Sequence, residues 1–398
     1  MKKQIFVLAC SFCFLVAHGQ NGMKFQRLAL PFYSTFIQDT IPVEINIPES
    51  YYYSSPKAKF PLVLLMDKQN ADTYTYNLHT IDFLFGVGGQ LPDCIVVGVP
   101  FEAQDRYYLT ALKKREGESL SGIEKTENFL FEELIPYLEK NYPGIGSKVA
   151  VGHSRTGYLI NYLMTKRIGQ FDVGLSLSGF YDDGGPVSQA FENFGFEGLS
   201  ERKYPFKYYM AAGISREETT YKEDFDAMSG RFEAMGPKEG FYWRYFVNEH
   251  ANHITNYSQA LFGALTDAFS DYPRILNDWL FVKLDSVPAE QALATFQQDL
   301  ASASYPATPD ILSVFSIVSH YFNQQHYEVA EQFLAYGIDY LPKEPALRLL
   351  LAETYKQLGN AVGMEQELAT YKGLIEQDML LDDADKEELE AWYEEIKQ

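Results

Sequence analysis

The sequence predicts an α/β fold, a mostly parallel sheet with helices on both faces, followed by a small all-α domain. Three observations predict it. Continuous apolar runs such as 60–66 and 94–99 read as strands buried on both faces. Segments with helical spacing alternate with such runs up to about residue 285, as βα units do. After Asp285-Ser286-Val287-Pro288 the strand-like runs stop and helical periodicity continues. The expected division is a leader over 1–19, an α/β domain over 20–285 and a helical domain over 286–398.

The elements follow in order. Lys2 and Lys3 precede a short apolar run from Ile5 to Val16, and Ala17-His18-Gly19 offers small residues before Gln20. This reads as a secretory signal, with a periplasmic or secreted destination. Its removal takes Cys10 and Cys13 and leaves Cys94 alone, so no internal disulfide is expected. Phe25 to Ile47 reads as two alternating strands in a hairpin. Helical spacing covers 127–142 and stops before Pro143-Gly144. A third buried strand over 148–151 is followed by a helix over 156–167. Strands over 173–177, 206–212 and 242–247 complete the sheet. In the helical part Tyr321 and Tyr355 stand 34 residues apart. Ala330, Leu334, Gly337 and Pro342 then fall on tetratricopeptide positions, and Ala352 and Leu368 continue the pattern, whereas Met364 and Tyr371 depart from it. The resemblance covers 311–378, and Asp382 to Gln398 reads as an acidic capping helix. Two repeats bury little alone, so they are expected to pack on the first domain and to offer a surface for a protein partner or self-association.

The whole chain of 398 residues suits two folded units, and a formal net charge of −21 argues against a nucleic-acid partner. No later stretch is apolar enough to span a membrane. Aromatic residues make up 15% of the chain, enough to fill a core and to face flat ligands.

The chemistry centres on Gly152-His153-Ser154-Arg155-Thr156-Gly157. Gly-x-Ser occurs five times, at Ser119, Ser154, Ser176, Ser200 and Ser215, but only Ser154 sits between a buried strand and an apolar helix. A sharp turn there exposes the hydroxyl and demands small neighbours such as Gly152. The helix beginning at Arg155 points amides at the same spot, where they can hold an oxyanion. The alternative is a plain helix N-cap. A serine nucleophile needs a base. His250 and His253 follow the last strand, on the side a strand's carboxyl end serves; His153 lies inside the turn itself. An orienting acid is expected after the 206–212 strand, with Glu217 first, Glu218 second and Asp226 third. The resulting order of serine, acid and histidine is that of α/β-hydrolases. The histidines lack HExxH spacing, Cys94 has no partner cysteine and no glycine-rich nucleotide loop is visible, so no metal or cofactor is expected.

Asp67, Arg106 in Asp105-Arg106-Tyr107-Tyr108-Leu109-Thr110, Glu132 to Tyr137, Gly152-His153-Ser154 and Asn252-His253-Ile254-Thr255 together resemble the esterase D and enterobactin-esterase type of α/β-hydrolase, over about 40–272. The resemblance implies Ser154 as nucleophile, His253 rather than His250 as base, and an acid near Glu217. It implies oxyanion donors at the backbone amides of Arg155 and Lys68, with Asp67 and Arg106 as substrate-binding residues. Two departures stand out. Thr156 replaces the family's usual Gly, so the helix sits farther out or a pocket absorbs the methyl. Asp67-Lys68 replaces Asp-Gly, which affects the second donor. Arg155 either stays in solvent or attracts an anionic substrate. The expected activity is hydrolysis of carbohydrate, aryl or siderophore esters, the substrate being a small molecule. The competing reading is a catalytically degenerate domain that binds a ligand or partner.

Overall fold

Eight strands form one sheet in the order β1-β2-β4-β3-β5-β6-β7-β8. They are β1 (Phe25–Ser34), β2 (Asp39–Pro48), β3 (Phe60–Met66), β4 (Ile95–Val99), β5 (Ile145–His153), β6 (Val173–Leu177), β7 (Phe206–Gly213) and β8 (Phe241–Asn248). The computed structural model describes residues 25–398 apart from 102, 183 and 193–198. The leader expected over 1–19 lies outside the described residues. β1 and β2 form the expected antiparallel hairpin, β2 joins β4 antiparallel, and the six remaining strands run parallel.

The apolar runs are continuous because both faces of the sheet are covered. In β3, Leu62, Leu64 and Met66 enter one core while Val63 and Leu65 enter the other. In β7, Tyr208, Met210 and Ala212 alternate in the same way with Tyr209 and Ala211. Side chains of a strand point to opposite faces with period two, so each run needs an apolar partner layer on each side. On one face lie α1 (Ala71–Gly86) and a late helix that begins at His253. On the other lie the helix 122–141, interrupted by a π-helical stretch over Phe129–Leu134, then α2 (Arg155–Arg167) and α3 (Thr219–Met235). The late helix, α4, spans His253–Ala268. The chain leaves β3 for β4 on one side and returns as β5 on the other, so the crevice at their carboxyl ends is a topological switch point.

The helical part contains α5 (Ala292–Ala301), α6 (Ile311–Asn323), α7 (Tyr327–Tyr340), α8 (Pro345–Gln357), α9 (Ala361–Ile375) and α10 (Asp383–Lys397). It has its own apolar core, which reaches back past Asp285 to Tyr272, Ile275 and Trp279. Gly337 lets α7 approach α6: a Cβ there would lie 2.9 Å from Val314 Cγ1. This part docks on the amino-terminal edge of the sheet. Tyr305 donates to the carbonyls of Pro205 (3.0 Å) and Asp172 (3.3 Å), which precede β7 and β6. Thr308 exchanges hydrogen bonds with the Lys59 backbone, just before β3. Among the described residues no helix is long and apolar enough to cross a membrane.

Candidate active site

β5 ends in a sharp turn. Ser154 sits at φ 59° and ψ −118°, a conformation that a residue with a side chain adopts at an energetic cost. Its backbone is held on both sides. The Ser154 N–H donates to Leu177 O (2.9 Å), and its carbonyl accepts from Tyr158 N (3.0 Å) in the first turn of α2. The crowding is real: a Cβ on Gly152 would lie 2.2 Å from Thr156 O. The hydroxyl is thereby presented, half-buried, at the carboxyl edge of the sheet. The amide of Arg155 opens α2, where a helix has no internal acceptor for it.

Thr156 is fully buried, and its hydroxyl is used. It donates to Asp67 Oδ2 (2.7 Å) and accepts from the His153 N–H (2.8 Å). The close approach expected of a glycine comes one residue later. A Cβ on Gly157 would stand 2.8 Å from Gly179 Cα, so Gly157 and Gly179 set the spacing of α2 against the turn after β6.

His253 opens α4 beside this turn. Asn252 caps the helix by accepting from Ile254 N (3.1 Å) and Thr255 N (2.8 Å), while Thr255 Oγ1 accepts from Asn252 N. His253 Nδ1 is hydrogen-bonded to Glu218 Oε1. The other oxygen of Glu218 accepts from Ser178 Oγ (2.8 Å) and Gly213 N (2.8 Å), and Asn256 in turn donates to Ser178 Oγ (2.7 Å). Burial alone would raise the Glu218 pKa, but the bonds from His253, Gly213 and Ser178 outweigh it and hold the carboxyl below the usual glutamate range. The carboxylate fixes the proton on Nδ1 and leaves Nε2 as the basic nitrogen. Tyr221 stacks on the imidazole at 4.7 Å.

The carboxylate at the imidazole is therefore Glu218, not the first-ranked Glu217. Glu217 instead accepts from the backbone N–H of His253 (3.0 Å) at the helix start. Both acids share one short 3-10 turn, Arg216–Glu218, whose direction turns only the second inward. Asp226 lies farther along α3, paired with Lys222.

Three further expectations need correction. The Lys68 amide donates to Val99 O (3.2 Å), so it is not available as an oxyanion donor. Asp67 and Arg106 form a bidentate pair, with Nε to Oδ1 at 2.6 Å and Nη2 to Oδ2 at 2.8 Å. Asp67 is buried and sits at φ 65°, with Gln69 also donating to Oδ1 (2.8 Å). Arg106 reaches on to His153 O (3.4 Å). Both residues brace the turn rather than await a substrate.

His153, which lies inside the turn as expected, also ties the turn to the start of α4. Its Nε2–H donates to the backbone carbonyl of His253 (2.6 Å), and its ring stacks on Tyr257 at 5.0 Å with an interplanar angle of 2°. Its pKa is lowered to about 4, by burial first and then by the neighbouring His253. The imidazole thus stays neutral and acts as a donor. Ser178, Asn256 and Tyr221 were also missed. Asn256 alone left a signal, one helical turn after His253 on the same face.

A separate cavity of about 280 Å³ is lined by Ile41, Phe101, Asp105, Tyr108, Arg115 and Glu118. Four of its charges form two pairs, Arg115 with Asp105 and Lys125 with Glu118. Ser154 and His253 do not line it, and the site chemistry lies outside it. Among the described residues no cluster of His, Cys, Asp and Glu is placed to hold a metal ion.

Residues 34–236, just over half of the chain, match the family described as Putative esterase. The chain belongs to this esterase family. The esterase is a carboxylic ester hydrolase on an eight-stranded α/β sheet. Its fold is similar to an IroE-like serine hydrolase from Shewanella oneidensis, at 18% identity and a TM-score of 0.59, covering 78% of this chain and 97% of that one. A protein from Capnocytophaga ochracea shares the fold over 94% of this chain and 99% of its own, at 18% identity and a TM-score of 0.58. The BES protein from Bacillus cereus does so over 62% and 96%, at 18% identity and a TM-score of 0.51. No curated protein matches the esterase.

Proposed function

We propose that the protein is an exported serine esterase in which Ser154, His253 and Glu218 act as nucleophile, base and orienting acid. The observation that carries this reading is the polarised imidazole: Nδ1 is bound to a buried carboxylate, and the ring lies 4.5 Å from that of His153, the residue before the strained Ser154. His253 accepts the Ser154 proton as Oγ attacks the ester carbonyl. The tetrahedral oxyanion faces the Arg155 amide. The imidazolium returns the proton to the departing alcohol, leaving an acyl-enzyme. Water attacks the acyl carbon, passes its proton to His253, and the acid leaves as Ser154 regains its hydrogen. The substrate class is a small carbohydrate, aryl or siderophore ester, and the name of the Shewanella structure, an IroE-like serine hydrolase, supports the serine chemistry. The charged leader pattern supports a periplasmic or secreted location.

We read residues 311–378 as two tetratricopeptide-like repeats. The start of α8 follows that of α6 by 34 residues, from Ile311 to Pro345, and α9 follows α7 by the same interval, from Tyr327 to Ala361.

A fluorophosphonate probe tests the catalytic reading. Labelling of the wild type that vanishes in Ser154→Ala supports it. A folded wild type that stays unlabelled and does not hydrolyse 4-nitrophenyl acetate sinks it. That outcome favours the degenerate, ligand-binding alternative, which the engaged amide of Lys68 supports.

A further inference from the structure

The residue after the nucleophile carries a charge that the reaction above does not use. Arg155 is half-buried. Its Nε donates to Thr110 Oγ1 (3.2 Å), and Nη2 donates to Thr110 O (2.8 Å) and Tyr107 O (3.4 Å). Two N–H groups on Nη1 remain. Among the described residues no carboxylate pairs with this guanidinium, in a chain whose net charge is −21. Its neighbours are ring faces instead: Tyr107 at 4.3 Å, Phe180 at 5.4 Å and Tyr158 at 5.6 Å from the guanidinium carbon. Burial lowers its pKa, and the nearby Arg106 acts in the same direction, so a bound anion would relieve a desolvated charge. The rings form a strip that leads back to the base. Phe180 stacks on Tyr158 at 4.7 Å and lies 6.4 Å from Tyr221, which stacks on His253. A flat molecule on this strip has one end at the imidazole and the other at the guanidinium.

We propose that Arg155 and the rings of Tyr221 and Phe180, with the buried Tyr158 backing Phe180, form an anion subsite that selects planar esters carrying a carboxylate across the ring from the scissile bond. This rests on the esterase reading and narrows it to a substrate class. The guanidinium pairs with the carboxylate through Nη1, while the rings hold the spacer between charge and ester.

Two matched pairs of esters test it, one with the charge on the alcohol side and one on the acyl side. The first is 4-acetoxybenzoate against methyl 4-acetoxybenzoate. The second is mono-4-nitrophenyl terephthalate against its methyl ester. The quantity read is the ratio of kcat/KM within a pair, because a general loss of activity cancels from it. In the wild type the charged member of at least one pair is favoured by about tenfold, the size of one hydrogen bond to a charged group. Arg155→Gln brings that ratio near one, and Arg155→Lys keeps part of it. A wild-type ratio near one in both pairs overturns the subsite, as does a preference that survives Arg155→Gln. If the wild type hydrolyses none of the four, fluorophosphonate labelling and 4-nitrophenyl acetate decide the esterase reading separately. The subsite is then read by titrating 4-hydroxybenzoate calorimetrically into wild type and Arg155→Gln: binding that only the wild type shows supports it, and equal or no binding overturns it.

Discussion

Glu217 and Glu218 differ by one position and have different surroundings. Glu218 is buried against His253, whereas Glu217 caps a backbone amide at the surface. Glu218→Gln keeps the shape but replaces an acceptor-only group with an amide, which no longer fixes the imidazole tautomer. We expect kcat for 4-nitrophenyl acetate to fall by about 10²–10⁴-fold in that variant, and Glu217→Gln to cost no more than about fivefold. The reverse ranking would move the acid back to Glu217. Acid stability follows from the hydrogen bonds that the Glu218 carboxylate accepts, which outweigh its burial. The folded pKa of Glu218 lies below its ordinary 4.5, so its contribution is present above that value and is lost as the pH falls through the folded one. His153 acts over a higher window. The unfolded chain takes up its proton near 6.5, while the folded state resists down to about 4, so stability declines as pH falls between the two. In His153→Gln that component is gone, and Tm drops less over this window than in the wild type; parallel Tm curves would refute it. The sharp turn at Ser154 was legible because a buried strand and an apolar helix flank it, whereas His253 was set apart from His250 only by the family resemblance. The choice between adjacent glutamates was not, since it depends on the direction of a three-residue turn. The bond from His153 to the His253 carbonyl was not legible, because its partner lies a hundred residues on, across a contact that no local pattern encodes.

Among elements, α2 and the turn before it are fastened by a polar cluster rather than by apolar packing alone. Asp67 accepts from Arg106, Gln69 and Thr156, and Thr156 in turn accepts from His153. Thr156→Val preserves the volume and leaves a buried carboxylate oxygen and the His153 N–H short of a partner. The expected loss is about 1–3 kcal/mol in chemical denaturation; an unchanged midpoint would show that the cluster bears no weight. The sequence flagged Thr156 as a departure from small residues but not its use, because Asp67 reaches it only through the pairing of β3 with β5. The strands themselves were legible within a few residues, since alternate side chains serve two cores. The Lys68 amide was not, because its acceptor, Val99 O, lies on the neighbouring strand β4.

Across the whole molecule, the helical part and the candidate active site occupy opposite edges of the sheet. Tyr305 and Thr308 grip the strand starts, whereas Ser154, Glu218 and His253 follow strand ends. Tyr305→Phe removes two hydrogen bonds at the docking seam. Tm is expected to fall while kcat/KM for 4-nitrophenyl acetate stays within about twofold; a large change in KM would mean that the helices shape the mouth after all. The change of periodicity near residue 285 marked the helical part, but its core begins earlier, at Tyr272, because Trp279 sits inside a helix that no loop signal separates from its predecessor. This opposition has a practical corollary. Fixing the protein to a support, or to another molecule, by its helices would leave turnover exposed to bulk solution, so catalysis and tethering need not compete for the same surface.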